Sequence, residues 1–504
     1  MKKTAKIAVF LILLTVLIVV SYIMRDHSFF TGFSILFSVT ALFIAVVISL
    51  ENRHPSSTLA WLIVLALFPF LGFVVYMFVG QSYRKKKMFY KKSLEDEDIY
   101  VRVENSLQQE KCEFGWMEDR QKQFLNLASK LGKTPVSFAS ETEVLANGDE
   151  KFAALFDLID KAERHLHLEY YIIRHDKTGT TLKDKLIKKA REGVEIRFLY
   201  DAVGCLALSP SFISELRSAG VNMEPFFPVK LPYFNQKINF RNHRKIVVAD
   251  GQYGLVGGLN IGDEYMGLSP YYGFWRDTHL KITGEAVNSL QLIFLQDWRH
   301  ATGEKLVPEY FIHKWGNPGG KNQGGVQLIA GGPDNEWEVM KNLYFSMIVS
   351  AKKSVWIASP YFVPDEEIYM ALKVAALSGI DVKILVPDKP DKKTVFYASR
   401  SYFGDLLKAG AEIYEYEKGF MHSKFVIVDG EIASVGTCNM DMRSFHLNFE
   451  VNAFLYNTKS ISSLSLYFEK DLTFSKKMTL LDFNNRKLRN RVFESLARLL
   501  SPLL

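Results

Sequence analysis

Two short segments of the chain carry the same residues at the same spacing. The first contains His243, Lys245 and Asp250, followed by Gly257 and Asn260. A lone His or Lys beside a strand is usually structural, but five residues repeated without an insertion predict a function that needs both copies. The second copy follows at a constant offset of 179 positions and consists of His422, Lys424, Asp429, Gly436 and Asn439.

These residue types favour phosphoryl chemistry over metal binding. His, Lys and Asn without a neighbouring carboxylate or thiolate make a poor metal site, but they can bind a phosphodiester anion. Two copies supply two imidazoles. One can attack phosphorus and leave again, while the other protonates the departing alkoxide and later deprotonates the acceptor. The Lys and Asn side chains would neutralise and orient the phosphoryl oxygens.

The spacing within each copy predicts how the fold positions these groups. Side chains two apart on a strand point to the same face, so His and Lys should lie side by side on a strand. Asp-Gly then signals a turn, and Asp250 and Asp429 are expected to brace the site without touching substrate. A return strand would carry Asn260 or Asn439 to the same edge, past glycines that allow close backbone approach. These return strands are predicted at 253–256 and 431–435.

Beyond about residue 120 the pattern becomes that of an α/β fold. Short apolar strands alternate with amphipathic helices, and the same order returns after a glycine-rich passage at 316–325 that is typical of a linker. We therefore expect two homologous α/β halves. The predicted strands are 166–173, 194–199, 245–249, 354–358, 382–386 and 424–428, and the predicted helices are 181–191, 210–219, 366–377 and 394–409.

The N-terminal region has the composition of a membrane anchor. Three apolar runs without charged side chains, at 7–24, 29–50 and 59–79, each approach the ~20 residues that span a bilayer. A cleaved signal peptide is the alternative, but no small-residue cleavage site follows the first run. We predict two or three transmembrane helices, the third being interrupted by Pro69 and open to a re-entrant form.

The basic residues that flank these runs predict the orientation of the anchor. In the three-helix arrangement, four of them lie on the N-terminal side and seven on the other, which places the large C-terminal part in the cytoplasm. The two-helix arrangement places it there as well. The four are Lys2, Lys3, Lys6 and Arg53, and the seven are Arg25, Arg84, Lys85, Lys86, Lys87, Lys91 and Lys92.

Overall composition narrows the classes of partner. The 504 residues carry a formal net charge of +7, which favours an anionic membrane surface or a nucleic acid. The three cysteines are widely separated, so neither a disulfide framework nor a zinc site is expected.

At the repeated motifs the sequence resembles the phospholipase D superfamily, and within it the bacterial cardiolipin synthases. The resemblance covers roughly Thr134 to the C-terminus and is strongest at 238–245, 257–265, 275–277 and 440–450. It implies two phospholipase D-like α/β sandwich halves packed around one site and preceded by N-terminal membrane helices. The expected organisation is an anchor at 1–90, a connecting segment at 91–133, a first half at 134–315, a linker at 316–325 and a second half at 326–504.

The resemblance also implies residue roles. One of His243 and His422 would be the nucleophile and the other the acid and base, in an order left open. Asp277 and Glu450 are the expected groups that orient the histidines. One departure is Gly258, where the second copy has Thr437, so a hydroxyl contact is expected to be lost in the first half. The phosphate-binding residues would be Lys245, Asn260, Lys424 and Asn439, supported by Asp250 and Asp429.

The implied reaction transfers a phosphatidyl group from one phosphatidylglycerol to another, giving cardiolipin and glycerol through a phosphohistidine intermediate. It uses no cofactor and no metal, it takes place in an anionic membrane without a nucleic acid partner, and it is compatible with a homo-oligomer. The alternatives are a membrane-bound phospholipase D that uses water, a phosphatidyltransferase similar to phosphatidylserine synthase, and a catalytically inactive membrane scaffold.

Two further segments have two interpretations each. The aromatic stretch 226–234 could line an entrance for acyl chains or pack as a loop between the halves. Near the C-terminus, apolar residues at helical spacing alternate with basic ones, which predicts either an interfacial membrane helix or a helix docked on the core. The apolar positions are Leu488, Val492, Phe493, Leu496, Leu499 and Leu500.

Overall fold

The computed structural model describes residues 39–40, 42–43, 45–46, 48, 55–67, 72, 76, 89–96, 117–228, 239–313, 315 and 324–501. The chain divides into two compact units, Met1–Met88 and Phe89–Leu504. Within the described residues, none of the helices combines the length and apolar character needed to cross a membrane. The predicted span at 7–24 lies outside the described residues, and the spans at 29–50 and 59–79 lie only partly within them.

The first unit contains helix α1 (Pro55–Leu67). Its small apolar cluster buries Ile48, Leu65 and Tyr76. Trp61 of α1 meets Tyr76 edge to face with the ring centroids 5.3 Å apart.

The second unit begins with helix α2 at residues 89–96 and continues with α3 (Asp119–Gly132). It then forms the first of two α/β halves. The elements of this half are β1 (Ser140–Ala146), α4 (Asn147–Lys161), β2 (His165–Tyr170), α5 (Lys177–Arg191), β3 (Glu195–Asp201), α6 (Pro210–Ser218), β4 (Asn222–Phe226), β5 (Ile246–Ala249), β6 (Tyr253–Gly257), β7 (Phe274–Arg276), β8 (Thr278–Gly284) and α7 (Ala286–Thr302).

The second half repeats this order and adds elements at its end. Its elements are β9 (Gly325–Gly331), α8 (Val339–Val349), β10 (Ser354–Ala358), β11 (Phe362–Val363), α9 (Glu366–Leu377), β12 (Asp381–Pro387), α10 (Lys393–Arg400), α11 (Phe403–Ala409), β13 (Glu412–Tyr416), β14 (Gly419–Met421), β15 (Phe425–Val428), β16 (Ile432–Gly436), β17 (Met440–Asp441), α12 (Met442–His446), β18 (Glu450–Tyr456), α13 (Lys459–Thr473), β19 (Ser475–Met478), α14 (Leu480–Asn484) and α15 (Leu488–Leu499).

Each half is built on one mixed sheet, and the two sheets have the same strand order. The first sheet runs β4-β3-β2-β5-β6-β8-β1, and the second runs β13-β12-β10-β15-β16-β18-β9 with β19 added beside β13. In both, the strand after the His-Lys pair lies antiparallel between its two neighbours. The prediction of two homologous α/β halves is therefore confirmed.

Local sequence explains where several helices begin and end. Ser209 caps α6 and Asp365 caps α9 by accepting hydrogen bonds from the amides of Phe212 and Ile368. The predicted helix at 394–409 is divided into α10 and α11 at 401–402. Gly410 ends α11 with a φ of 100°, a conformation that favours glycine.

The prediction that His and Lys lie on a strand is wrong by a few residues. Strands β5 and β15 begin only at Ile246 and Phe425, just after each His-Lys pair. The physical reason is that the backbone of each histidine pairs with the other half. The amide of His243 donates to the carbonyl of Phe449 at 2.9 Å, and the amide of His422 donates to the carbonyl of Arg276 at 2.7 Å.

Lys92, which was expected in the basic flank beside the membrane, is instead buried inside the second unit. Its ammonium pairs with Asp96 at 2.6 Å, with Asp334 at 2.8 Å and with Asp297 at 3.3 Å. Asp297 also pairs with the guanidinium of Arg244, which lies between His243 and Lys245 in the chain. Burial alone would lower the pKa of Lys92, but the three carboxylates raise it above its usual range. Helix α2 is thus joined to both halves by a buried ionic network.

Candidate active site

His243 is held by a carboxylate of the opposite half. A parallel bridge aligns Asn242 with Phe449, so the next residues in each segment, His243 and Glu450, face each other. The Nδ1 of His243 lies 2.9 Å from Oε2 of Glu450 and 3.1 Å from Oε1. Glu450 is fully buried, and although burial opposes its ionisation, the contact with His243 lowers its pKa.

His422 is held in the same manner by the first half. Strands β14 and β7 pair in parallel with Met421 opposite Arg276, which places His422 beside Asp277. The Nδ1 of His422 lies 2.7 Å from Oδ2 of Asp277. Burial opposes ionisation of Asp277, but the charge of Lys424 and the contact with His422 lower its pKa to about 2. The two orienting acids predicted from the sequence are thus exchanged between the halves.

The two acids favour the same tautomer in both imidazoles, because an ionised carboxylate only accepts hydrogen bonds and a proton on Nδ1 leaves Nε2 with a free electron pair. At His422, Nζ of Lys424 also lies 2.8 Å from Nδ1, so Asp277 and Lys424 compete for that nitrogen. Burial lowers the pKa of His243 and of His422 to about 4. Both imidazoles are therefore neutral near pH 7 and able to act as nucleophile or base.

The two motif lysines lie beside their histidines and are fully buried. Lys245 donates to the carbonyl of His243 at 2.5 Å, and Lys424 donates to the carbonyl of His422. Burial lowers the pKa of Lys245 to about 7 and that of Lys424 to about 8, although Glu450 and Asp277 oppose the shift. The charge of each lysine also lowers the pKa of the histidine of the other half. Because each histidine pairs with an acid of the opposite half, both motifs lie at the junction between the halves. A bound anion would restore the full charge of both ammonium groups.

The two motif asparagines are buried but differ in their contacts. Oδ1 of Asn260 accepts from the amide of Ile172 at 3.1 Å, and its Nδ2 lies 3.4 Å from the hydroxyl of Tyr265. Oδ1 of Asn439 is buried without a hydrogen-bond partner among the described residues. The side-chain oxygen of Asn260 is therefore used within the fold, whereas that of Asn439 accepts no hydrogen bond from the described residues.

Asp250 and Asp429 lie at the far end of the strands from the histidines. The carboxylate of Asp250 accepts three backbone amides, from Glu163, Arg164 and His165, at 2.8 to 2.9 Å. That of Asp429 accepts the equivalent amides of residues 352–354 at 2.7 to 2.9 Å and also pairs with Arg120. Both aspartates have left-handed backbone, with φ of 55° and 56°. They join each motif strand to the start of its neighbouring strand.

The difference between Gly258 and Thr437 has a structural cause. The hydroxyl of Thr437 donates to Oε2 of Glu450 at 2.6 Å. In the first half a Cβ at Gly258 would overlap the carboxylate of Asp277. Asp277 instead receives the backbone amide of Thr278 at 2.8 Å. Asp277, which is shorter than Glu450, occupies the space that a side chain at Gly258 would fill. The amide of Thr278 donates to Asp277, as the hydroxyl of Thr437 donates to Glu450.

Two aromatic residues flank the histidines, and the motif pattern does not single either out for this role. The ring of Tyr171 lies 5.0 Å from that of His243, and the ring of Trp275 lies 5.0 Å from that of His422. Each aromatic residue belongs to the first half. Their closeness to a motif histidine could be found only from the register of the sheets.

The described part of the stretch 226–234 favours the packing interpretation. Phe226 and Phe227 are buried, with their rings 5.2 Å and 5.9 Å from that of Phe449. The rest of this stretch, residues 229–234, lies outside the described residues.

The arrangement provides two neutral imidazoles, two ammonium groups and two amides in a buried site between the halves. Such a set can bind and transfer a phosphoryl group. Among the described residues, no group of three or more His, Cys, Asp or Glu side chains is placed to hold a metal ion.

The duplicated fold and the paired His-Lys-Asn sets define a phospholipase D-like enzyme. A family model described as "Cardiolipin synthase, PLD-like domain" matches residues 155–298 and 344–472, and one described as "Phospholipase_D-nuclease N-terminal" matches 37–81. The chain belongs to the cardiolipin synthase family, and it is an enzyme of the phosphatidyltransferase type.

Relatives of this family match over nearly the whole chain. "Cardiolipin synthase" of Geobacillus thermodenitrificans is 56% identical over 507 residues and covers 100% of both chains. "Cardiolipin synthase 2" of Bacillus anthracis is 59% identical over 471 residues, covering 93% of this chain and 91% of the relative. Among solved structures, the phosphatidylserine synthase of Haemophilus influenzae matches with a TM-score of 0.59 at 15% identity, covering 76% of this chain and 100% of its own, and this likeness shows the fold alone.

Proposed function

We propose that this chain joins two phosphatidylglycerol molecules into cardiolipin and releases glycerol. The observation that carries the proposal is the pair of neutral histidines, each oriented by an acid from the other half, in one site with two lysines. Further support comes from the name of the Geobacillus thermodenitrificans relative, which covers the whole chain at 56% identity.

The first step forms a phosphohistidine. Nε2 of one imidazole attacks the phosphorus of phosphatidylglycerol, and the bond from phosphorus to the glycerol oxygen breaks. The second histidine, which takes up a proton on Nε2 when the phosphodiester anion binds beside it, gives that proton to the departing glycerol oxygen. Glu450 or Asp277 stabilises the imidazolium that forms. Either His243 or His422 can take the nucleophilic role.

The second step reverses the roles of the groups. The second imidazole removes the proton from a free hydroxyl of another phosphatidylglycerol, and this oxygen displaces the histidine from phosphorus. One phosphodiester replaces another, so the reaction requires no nucleotide. Lys245, Lys424, Asn260 and Asn439 bind the phosphoryl oxygens throughout, while Asp250 and Asp429 support the two motif strands.

Water competes with the lipid acceptor, because it can hydrolyse the phosphohistidine intermediate. His243 and His422 are 9% and 8% exposed, so little water reaches the intermediate. This burial favours transfer to a lipid hydroxyl over hydrolysis by a phospholipase D.

We also propose a membrane-bound organisation with the catalytic halves facing the cytoplasm. The apolar runs at 7–24, 29–50 and 59–79 would form two or three transmembrane helices within an anchor at 1–90. The catalytic part would comprise a connecting segment at 91–133, halves at 134–315 and 326–504, and a linker at 316–325. The two segments matched by the family model fall within these halves.

The test is a product assay with purified full-length enzyme and phosphatidylglycerol labelled in its phosphate. The expected products are labelled cardiolipin and one glycerol per cardiolipin, without added nucleotide. Labelled phosphatidic acid as the main product would indicate a hydrolase. A requirement for serine and a nucleotide-activated lipid would indicate phosphatidylserine synthesis, and turnover that survives both His243→Ala and His422→Ala would overturn the mechanism.

A further inference from the structure

The C-terminal helix α15 is attached to the catalytic unit by its polar side. Its two buried residues are Glu494 and Ala497. Glu494 receives Nε of Arg486 at 2.9 Å and lies 3.9 Å from Nε of Arg400 on α10. Phe493 packs against Tyr397 of α10, with the ring centroids 5.5 Å apart. The helix is therefore docked, but not through the residues that usually dock an amphipathic helix.

The apolar side of α15 is exposed. At about 100° per residue, Leu488, Val492, Leu496 and Leu499 fall on one stripe opposite Glu494 and Ala497. Leu488 is 74% exposed and Leu499 is 77% exposed, and the two residues between them on the stripe are also exposed. The sequence left two interpretations of this helix open, and here it is docked on the core with its apolar stripe facing outward.

Cations flank this stripe on both sides. Arg489 and Arg491 project on opposite edges of it, and Lys487 lies just before the helix; all three are exposed. Within the described residues, no carboxylate forms an ion pair with any of these three cations. An exposed apolar stripe edged by unpaired cations matches an anionic lipid surface, where acyl chains lie below the phosphate groups.

The position of α15 agrees with such a surface. Its neighbour α10 lines a cleft together with Tyr361, Asp391 and Glu415. The cleft lies near the second motif, because the hydroxyl of Ser359, two residues before Tyr361, accepts the amide of Met440, which directly follows Asn439, at 3.0 Å. On another side, Arg498 stacks over Tyr369 of α9 at 5.7 Å, and α9 itself exposes Met370, Val374 and Leu377.

We propose that α15 is an interfacial helix, whose apolar stripe inserts into an anionic phospholipid bilayer while Lys487, Arg489 and Arg491 bind lipid phosphates. This contact lies within the catalytic unit and is separate from the predicted N-terminal anchor. It holds α10 and its cleft against the lipid from which substrate is drawn. The membrane contact itself does not depend on the reaction proposed above, whereas its role in supplying substrate rests on that proposed function.

A spin label at position 496 tests the insertion in the full-length protein. The label is attached to Leu496→Cys in a Cys112→Ser background, because Cys205 and Cys438 are buried. His243→Ala and His422→Ala are included so that no lipid is turned over. In vesicles that contain phosphatidylglycerol, we expect the label to be more accessible to oxygen than to a water-soluble nickel complex. A label at Leu466, which is 66% exposed on α13, should show the opposite preference.

Three outcomes would overturn the proposal. The label may not be protected from the nickel complex in these vesicles, in which case no bilayer contact exists. Broadening between labels would place a second copy of the chain on the stripe. Protection from both reagents in detergent as well as in vesicles would mean that the stripe is covered by protein.

A kinetic comparison supplies an independent readout in the catalytically intact enzyme. Leu488→Gln/Leu499→Gln should lose activity on phosphatidylglycerol vesicles but keep it on lipid dispersed in detergent micelles. The control Leu206→Gln/Leu466→Gln changes two leucines that are 72% and 66% exposed on other elements, and it should be unaffected on both substrates. Equal loss in micelles and vesicles would contradict the proposal.

Discussion

Nδ1 of His243 lies 2.9 Å from Oε2 of Glu450, although 207 positions separate the two residues and they belong to different halves. The reciprocal pair, His422 and Asp277, spans the halves in the other direction at 2.7 Å. Each His-Lys motif therefore takes the acid that pairs with its histidine from the half that does not contain the motif.

Removing either orienting acid should impair transfer without unfolding the protein. Glu450→Gln and Asp277→Asn keep the shape of the side chain but no longer fix the tautomer of His243 and His422 or stabilise their imidazolium forms. We expect kcat to fall by roughly 10²- to 10⁴-fold in each variant. Rates on phosphatidylglycerol micelles check this, with exposed Glu469→Gln as the control. Activity within about twofold of the parent chain in either variant would contradict the exchanged pairing.

The pH dependence of kcat/KM should be limited by two kinds of group. Burial lowers the pKa of both histidines to about 4, so protonation of the nucleophile should reduce kcat/KM only near that pH. The pKa values of Lys245 and Lys424, about 7 and 8, predict a second decline on the alkaline side as the ammonium groups lose their protons. Because a bound phosphate anion raises both lysine pKa values, the alkaline limb of kcat should lie at higher pH than that of kcat/KM. A kcat/KM that stays flat through this alkaline range would contradict the assignment.

The two halves should respond differently to changes at Gly258 and Thr437. A side chain at Gly258 would displace Asp277, so Gly258→Thr should lose as much activity as Asp277→Asn. Thr437→Ala removes a hydrogen bond to the charged Glu450 and should cost about 10- to 100-fold. Thr437→Ser keeps the hydroxyl and serves as its control. Full activity in Gly258→Thr would show that Asp277 can move without loss.

The buried network around Lys92 should contribute strongly to stability. Lys92→Ala leaves three buried carboxylates, of which Asp297 keeps the guanidinium of Arg244 as its partner, and we expect the unfolding free energy to fall by about 3–5 kcal/mol. Thermal unfolding in detergent is the measurement. The neighbouring Lys91, 87% exposed and paired with Glu95 at 3.6 Å, provides a matched control, since Lys91→Ala should leave the midpoint unchanged. Equal midpoints for the two variants would refute the role of the network.

Much of the fold could be predicted because the same order of motifs and apolar segments occurs twice in the sequence. The constant offset from His243 to His422 revealed the duplication, and the apolar runs located the inner strands of both sheets. The predicted end of the helix at 394–409 also matches the end of α11, which Gly410 follows. The local sequence pattern was sufficient to predict the strands that are adjacent both in the chain and in the sheet.

The remaining features depend on contacts between distant segments. Spacing could suggest Asp277 and Glu450 but not which histidine each one meets, because the exchange is set by β7 pairing with β14 and by Asn242 pairing with Phe449. The same backbone pairing removes His243 and His422 from their strands. Lys92 looked like a membrane-flanking cation because nothing near it in sequence reveals Asp297 and Asp334.

The exchange of acids between the halves makes the integrity of both histidine pairs depend on a single junction. If thermal motion, proteolysis or misfolding separates the halves, both histidines lose their partners at the same moment. An isolated half would therefore retain its histidine and lysine but lack the carboxylate that orients the imidazole, so we expect neither half to be active by itself.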